Sequence, residues 1–547
     1  MAVNLSNVRF KRPNLLKTIL YALLAVALFA VSDDIFSEFA YDFKTNSPAR
    51  IIGGVLTFLL AIIAFLPLFL LKTSLFKRIF YIFSAACLSV TWAFRFTRGS
   101  SFNAEDAALL LKEYGFAGEA AQTFLSDFLL AMLIASVIVT ILWFFSKRMF
   151  IENSFFNALP VIALFAAIFY ILISPTTAFI RYFPSFLKVP SAFVSAIFKT
   201  PESKFRLAPT LSLKNESAAQ HIIFIIDESI RGDKMSLNSP HILTTPFLKS
   251  IEDSILNFGI ISSATNCSAT ANLLLRTGLQ PTQIPDEKAV SLRKADIFAY
   301  AKAAGFTTFY LDGQSQKGAL PNYLTQSDLK NIDNFQQVLI QNSVLKSYAI
   351  DTAITTKLSD ITRSPFKTFT LVNKWGAHFH YENSYPREQQ FLKPALAHGE
   401  SYSNKTKLRN SYYNAIRWSV DEFFKKLLDG IDRENTIIIY TSDHGESLME
   451  DGTAIAHCQL HSTPREQAAV PFLIFAPNAD FFKSALLNQN RASHFEIFPT
   501  MLLLFGFEKS EINDAYGATI FDTLQIRQRF FYSGDIFGRS PLRKNPF

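Results

Sequence analysis

Five apolar runs of membrane-spanning length lie in the first 175 residues, at about 15–31, 51–71, 79–95, 128–145 and 155–174, and none follows residue 200. An α-helix needs about 20 apolar residues to cross the hydrocarbon layer, so the chain must fold as two modules in two solvents. The first and third runs are short, but Lys17 and Arg95 can lengthen them by snorkelling to the interface. Arg9, Lys11, Arg12 and Lys17, then Lys72, Lys77 and Arg78, then Lys147 and Arg148 all fall on one side of the alternating connections. The positive-inside rule makes that side the cytoplasm. Asp33, Asp34, Glu38, Asp42, Glu105 and Asp106 fall on the other, and five crossings from an inside N-terminus place everything after residue 175 outside. Ala25-Val26-Ala27 also fits a signal-peptidase site, an alternative that leaves the later topology unchanged.

The formal charge of +8 does not argue for nucleic acid as a partner, because the basic residues are scattered and several border the apolar runs. Three cysteines exclude a disulfide framework and leave room for one bridge at most. The sequence divides into a five-helix transmembrane domain over 1–175, a connector over 176–205 and an outer domain over 206–547. In the connector Phe179, Phe183, Phe186, Phe193 and Ile197 recur at helical spacing, interrupted by Pro184 and Pro190. That pattern suits an amphipathic segment on the membrane surface, or equally a linker packed on the outer domain. Residues 103–113 read as a short helix.

Beyond 206, apolar β-rich runs alternate with helical stretches: His221–Ile226, Ile255–Ile261, Thr307–Leu311, Phe369–Val372, Thr436–Tyr440 and Val470–Phe475. Alternation of this kind argues an α/β layered domain on a largely parallel sheet, with chemistry at the carboxyl ends of the strands. All nine histidines lie in this part. Glu228 follows the first strand and Asp443-His444 follows the fifth, so carboxylate and imidazole ligands emerge at two strand ends. The adjacent pair in Ser442-Asp443-His444-Gly445-Glu446-Ser447 can reach one cation if the backbone turns sharply, which Gly445 permits. Mixed O/N donors suit Zn²⁺, with Mn²⁺ also acceptable. The segment Asn266-Cys267-Ser268-Ala269-Thr270-Ala271-Asn272 follows a strand and opens an apolar helix. A hydroxyl there would sit among free backbone N–H groups, as an N-cap or as a nucleophile.

Taken together, Asp227-Glu228-Ser229-Ile230-Arg231, the Thr270 segment, Trp375-Gly376-Ala377-His378, Ser442 to Ser447 and Pro464 to Phe472 resemble the bacterial phosphoethanolamine transferases. These are inner-membrane members of the alkaline phosphatase and sulfatase-like superfamily. The resemblance implies an α-helical transmembrane domain of five helices followed by an α/β alkaline phosphatase/sulfatase-like domain in the periplasm. Carried over by motif, it implies Glu228, Asp443, His444 and Thr270 around Zn²⁺. Thr270 is the nucleophile and Ser268 stands at the motif's upstream threonine. His378 and His457 would stabilise phosphoryl oxygens or move protons, with His461 as the competitor for the role of His457. Ser493-His494-Phe495-Glu496 reads as structural. The chain departs from the family pattern at Asp227, where glycine is usual, at Asn373, where a histidine is usual, and at Asn266, where one branch has a disulfide cysteine.

The implied reaction moves phosphoethanolamine from phosphatidylethanolamine to an envelope glycan or lipopolysaccharide acceptor through a phospho-threonine. A free hydroxyl is almost wholly protonated near neutrality, and metal ions can lower the pKa of bound water from 15.7 to about 7, worth roughly 12 kcal/mol. The rival readings are phosphoglycerol transfer on the same fold and a non-catalytic module that kept its metal for stability. A type I sulfatase is disfavoured because Cys267 to Ala271 lacks the Pro and Arg of Cys/Ser-x-Pro-x-Arg. Cys267 and Cys458 flank Thr270 and His457, which leaves a bridge between them open. Cys87 reads as a packing residue in the third span.

Overall fold

The computed structural model describes residues 75–98, 101–112, 124–146, 178–198, 203 and 205–547, less 316–317, 339–346, 401, 451–454, 461–462, 479, 525–527 and 539–541. A few positions of 43–59 and 162–172 are also described. The chain divides into two compact units, residues 1–200 with 538–541 and residues 201–537 with 542–547.

In the first unit, helices Leu75–Arg98 and Leu125–Ser146 carry the third and fourth apolar runs. Their spans, Lys77–Thr97 and Leu125–Phe144, are long and apolar enough to cross a membrane. The expected spans over 15–31, 51–71 and 155–174 lie, but for scattered positions, outside the described residues. Ile82, Leu129, Leu133 and Phe144 are exposed along these helices, as a lipid-facing surface requires. Between the two helices the Tyr81 and Trp143 rings meet edge to face at 5.2 Å, and Lys77 Nζ donates to the Ser146 carbonyl at 3.3 Å. Helix Ala104–Lys112 is the short helix expected over 103–113. The connector is helical over Ser185–Phe198 with Pro190 inside it. Its Val189 and Ala192 share a buried cluster with Cys87, Phe102 and Ala107, and Ser185 Oγ donates to Thr91 Oγ1 at 2.9 Å.

The second unit is built on a seven-stranded sheet. Its strands are β1 (His221–Asp227), β2 (Leu256–Ser262), β3 (Thr307–Asp312), β4 (Asn334–Gln337), β5 (Thr368–Asn373), β6 (Thr436–Ser442) and β9 (Ala469–Phe475), in the order β2-β9-β6-β1-β5-β3-β4. β1 pairs in parallel with both β5 and β6, and β3 pairs in parallel with β4 and β5. β9 runs antiparallel to β6 and β2. Two short hairpin pairings, β7 (Ser447–Leu448) with β8 (Ile455–Ala456) and β10 (Phe530–Gly534) with β11 (Leu542–Pro546), stand apart from it.

β1, β5, β6 and β9 are buried along their whole length, which is why each reads as a continuous apolar run rather than an alternation. Ile222, Phe224 and Ile226 pack on one face against helices Ile297–Ala303 and Ile497–Phe505. Ile223 and Ile225 pack on the other with residues of helices Tyr348–Thr362, Lys405–Ile416 and Phe423–Gly430. A sheet covered on both faces leaves its strand ends as the place for polar side chains, and the carboxyl ends of the adjacent β1 and β6 are the centre of that edge.

Candidate active site

β1 delivers Glu228 one residue past its end, and β6 delivers Asp443 and His444 in the same way. The Cα register pairs Asp227 with Ser442, so the two turns start level with each other. The Asp443 N–H donates to the Asp227 carbonyl at 2.9 Å, which carries the ladder one step into the turns. There Glu228 Oε1 lies 3.3 Å from His444 Nε2, and Asp443 Oδ2 lies 3.5 Å from the same nitrogen. Ser229 adopts a left-handed conformation (φ 62°), and its N–H donates to Asp443 Oδ1 at 3.1 Å while its hydroxyl donates to Glu228 Oε1 at 2.8 Å. A non-glycine residue held in that region stores strain of about 1 kcal/mol or more. Here the strain turns two donors onto the two carboxylates.

Gly445 serves the turn differently from the expectation. Its φ is not positive; a Cβ there would sit 2.1 Å from the Glu466 carbonyl oxygen, so glycine is required by close approach of backbone. The buried Glu446 adds a third carboxylate, with Oε2 3.4 Å from His457 Nδ1. Glu228, His444 and His457 present ligand atoms all within 4.8 Å of one another, and the His444 and His457 rings lie 4.0 Å apart. His461 lies outside the described residues. His378 stands near enough for its charge to act on Glu228, with its ring 4.9 Å from that of Trp375.

Burial alone would raise the Glu228 carboxyl, but the hydrogen bond and charge of His444, with the charges of His378 and His457, hold it well below its usual range. Burial and the Glu228 charge push Asp443 well above it. His444 is lifted to about 10 against its burial by Asp443 and Glu228. Two buried carboxylates and an imidazole thus crowd one point, where a cation would serve all three. Asp443 Oδ2 and Glu446 Oε1 are buried oxygens without a hydrogen-bond donor among the described residues. Buried acceptors of that kind are costly unless something positive meets them. The donor set therefore fits a divalent cation bound by mixed oxygen and nitrogen ligands.

The hydroxyl beside these ligands is Ser268. Its Oγ is 3.0 Å from His444 Nε2 and 3.3 Å from Glu228 Oε1. Thr270, expected to carry the reactive oxygen and to touch the metal, stands two residues further along the same first helical turn. Its Oγ1 shares a 2.8 Å hydrogen bond with Thr265 Oγ1 and donates to the Cys267 carbonyl at 3.1 Å. The two hydroxyls differ in helical phase. Helix Ser268–Thr277 begins at Ser268, and two residues along an α-helix turn a side chain by about 200°.

Cys267 and Cys458 form a disulfide, with Cα atoms 4.8 Å apart across 191 residues of sequence. The bridge fastens the residue before Ser268 to the residue after His457. Asn266 reinforces it, donating from Nδ2 to the Gln459 carbonyl at 2.9 Å and to Gln467 Oε1 at 2.8 Å.

Two contributors escaped the sequence reading. Gln314, just past β3, donates from Nε2 to Glu228 Oε2 at 2.9 Å and to the Lys374 carbonyl at 2.7 Å, fixing the carboxylate. Lys374 is fully buried and holds Asp227 Oδ2 at 2.6 Å, with Asp351 Oδ2 at 3.6 Å and the Ser419 carbonyl as further partners. Asp227 Oδ1 in turn accepts the Glu228 N–H at 3.0 Å. The Asp at the usual glycine position is thus neutralised by a lysine at the end of β5. Asn373 donates to Asp312 Oδ1 at 2.8 Å, away from the ligand set. His494 lies within 3.0 Å of the Ser442 carbonyl, and Ser493 with Glu496 forms a capping box, as the structural reading expects.

Residues 220–507 match the family model described as Sulfatase. The chain is 28% identical over 264 residues to the Kdo(2)-lipid A phosphoethanolamine 7''-transferase of Escherichia coli (strain K12), covering 47% of this chain and 44% of that protein. It is 25% identical over 302 residues to the phosphoethanolamine transferase EptA of Helicobacter pylori (strain ATCC 700392 / 26695), covering 53% and 54%. The chain thus spans about half the length of the curated relatives it matches. Among solved structures, the integral membrane lipooligosaccharide phosphoethanolamine transferase A of Neisseria meningitidis superposes with a TM-score of 0.61 at 17% identity, over 90% of this chain and 96% of that one. The C-terminal periplasmic domain of Escherichia coli EcEptC in complex with Zn gives 0.50 at 18% identity, over 59% of this chain and 93% of that one. At these identities the likeness is one of fold.

Proposed function

Because this chain belongs to the sulfatase family, we propose that its second unit transfers phosphoethanolamine from phosphatidylethanolamine to an envelope glycan or lipopolysaccharide acceptor, by way of a covalent phospho-enzyme. The observation that carries the reading is the convergence of Glu228, Asp443 and His444 at the ends of two neighbouring strands, beside the helix start that carries Ser268 and the proposed nucleophile Thr270. The names of the curated relatives supply the group transferred and the class of acceptor.

In this reading Glu228, Asp443 and His444 hold Zn²⁺, with Mn²⁺ as the alternative ion. When bound, the ion supplies the Lewis acidity that brings a hydroxyl into its nucleophilic range near neutral pH. The chain's own residues do the rest. Gln314 and Ser229 orient the Glu228 carboxylate, and the Ser229 N–H orients Asp443. The first turn of helix Ser268–Thr277 points unpaired N–H groups at the incoming phosphoryl oxygens. His378 and His457 meet the developing charge or pass protons to the leaving and entering oxygens.

The finer architecture belongs to the same proposal: five spans over 1–175, an interfacial connector over 176–205, an inner-membrane location and a periplasmic catalytic domain. A lipid donor that stays in the bilayer gives the membrane spans of the chain their purpose. The test is the purified full-length chain in detergent, loaded with zinc and given fluorescent phosphatidylethanolamine. Labelled diacylglycerol should accumulate, and chelation should stop it. A zinc-loaded chain that leaves the lipid intact would end the proposal.

A further inference from the structure

We propose that the cavity beside the end of β2 is a subsite that holds a sugar of the acceptor, apart from the groups that do the chemistry. The inference rests on the transfer reading above and deepens it by giving the acceptor a place.

The cavity lies wholly in the second unit. Its volume of about 490 Å³ is within the ~300–1,000 Å³ usual for small-molecule sites.

Position ties it to the candidate active site. Ser262 ends β2, lines the cavity and pairs with Ala469 of β9. The Ser263 N–H donates to the Ala468 carbonyl at 2.8 Å, and from the opposite side the Gly445 N–H donates to the Gln467 carbonyl at 2.9 Å. A single stretch of backbone therefore separates Ser262 from the turn that carries Asp443 and His444. Two strand spacings set the cavity wall about 10 Å from that turn, at the same edge of the sheet. An acceptor glycan whose reacting oxygen sits among the ligands extends toward that wall through its neighbouring sugars.

The chemistry of the lining suits a ring rich in hydroxyls. Arg491, Arg529, Gln280 and Asn513 end in planar groups that each set two polar atoms side by side, a match for adjacent hydroxyls. Phe495 and Phe530, with ring centroids 6.3 Å apart, add apolar surface for the C–H face of a sugar. Neither arginine forms an ion pair among the described residues. Arg529 Nη1 donates to the Ile260 and Ala492 carbonyls at 2.8 and 3.4 Å, and Arg491 is exposed. Ser262 Oγ is fully buried and without a hydrogen-bond partner among the described residues, and a hydroxyl left so calls for a ligand or a water. The carboxylates of Glu496 and Asp514 offset the two arginines, so the walls do not select a bare anion. The same polar walls exclude a lipid tail.

The experiment titrates the full-length chain in detergent with the oligosaccharide of deacylated lipopolysaccharide and follows binding by calorimetry. The native chain should bind it. Arg491→Ala removes an exposed pair of donors, and Ala515→Trp fills the cavity from its exposed rim. Each should weaken binding about 10-fold or more at an unchanged thermal midpoint. In the transfer assay each should raise the acceptor KM by the same factor and keep kcat at saturation. A native chain that does not bind the oligosaccharide, or binding that is unmoved in both variants, overturns the subsite. Full displacement of the oligosaccharide by an equal concentration of inorganic phosphate overturns it too, since the cavity would then be an anion site. The transfer reading fails separately: a native chain that binds the oligosaccharide at this cavity but releases no diacylglycerol from phosphatidylethanolamine keeps the sugar site and loses the reaction.

Discussion

Replacing Lys374 with methionine should destabilise the second unit by about 3–5 kcal/mol, the usual loss when one partner of a buried ion pair is removed. The structure places the pair at that end of the scale. Both side chains are fully shielded from water, Nζ lies 2.6 Å from Asp227 Oδ2, and the ammonium also meets Asp351 and the Phe423 ring. Methionine fills the volume but leaves two carboxylates facing each other without a cation. For a unit of this size that loss lowers the thermal midpoint by roughly 4–7 °C. The assay is thermal unfolding of the detergent-solubilised chain at fixed pH, scan rate and zinc concentration. The informative partner is the double variant Asp227→Asn with Lys374→Met. The amide keeps an acceptor for the Glu228 N–H and removes the uncompensated charge, so the double variant should be more stable than Lys374→Met alone. Equal midpoints for native and Lys374→Met, or strictly additive losses in the double variant, would refute the view that these two residues compensate one another.

Gln314→Ala removes the donor that holds Glu228 Oε2 and should weaken zinc binding about 10–100-fold, measured by competition with a chelator. Gly445→Ala drives a methyl group into the Glu466 carbonyl; it should cost about 1–3 kcal/mol of stability and lower zinc content, read from the thermal midpoint and metal analysis of one preparation. His494 is buried, and burial pushes its imidazole down to about 3. A base depressed on folding contributes stability that is whole above its unfolded value near 6.5 and falls away as pH drops toward 3. Acidification from pH 6.5 to 4 should therefore cost about 3 kcal/mol from this residue. His494→Gln should flatten the acid limb of the stability curve, and an unchanged limb would show that other groups set it.

The parts of this molecule that were legible in the sequence are those whose signal is local. β1, β5, β6 and β9 announce themselves as apolar runs because both faces of each are covered, and Glu228, Asp443 and His444 follow strand ends by one or two residues. β4 was missed because Asn334–Gln337 is a four-residue polar edge strand, half-buried and without a run or an alternation to mark it. Ser268 and Thr270 stand on one short motif, and motif spacing says nothing about which way the helix is turned. Gln314 belongs to no motif at all; its role follows from β3 lying next to β5, which brings it over the β1 turn. Lys374 and Asp227 lie 147 residues apart, so the departure from glycine looked unexplained until the sheet brought its counter-charge beside it. Glu446 was in plain view beside the ligand pair, but only the fold reveals that one of its oxygens is left without a donor.

The bridge between Cys267 and Cys458 ties the start of helix Ser268–Thr277 to the segment that carries His457. Thiols meet and stay joined only where the surroundings oxidise them, so a copy still in a reducing compartment would hold Ser268 and His457 together through amide hydrogen bonds alone. Such a copy would fold its sheet and collect its ligands, yet leave the two halves of its chemistry free to drift apart. Reducing that bridge would loosen the tie between these two segments while leaving the sheet as it is.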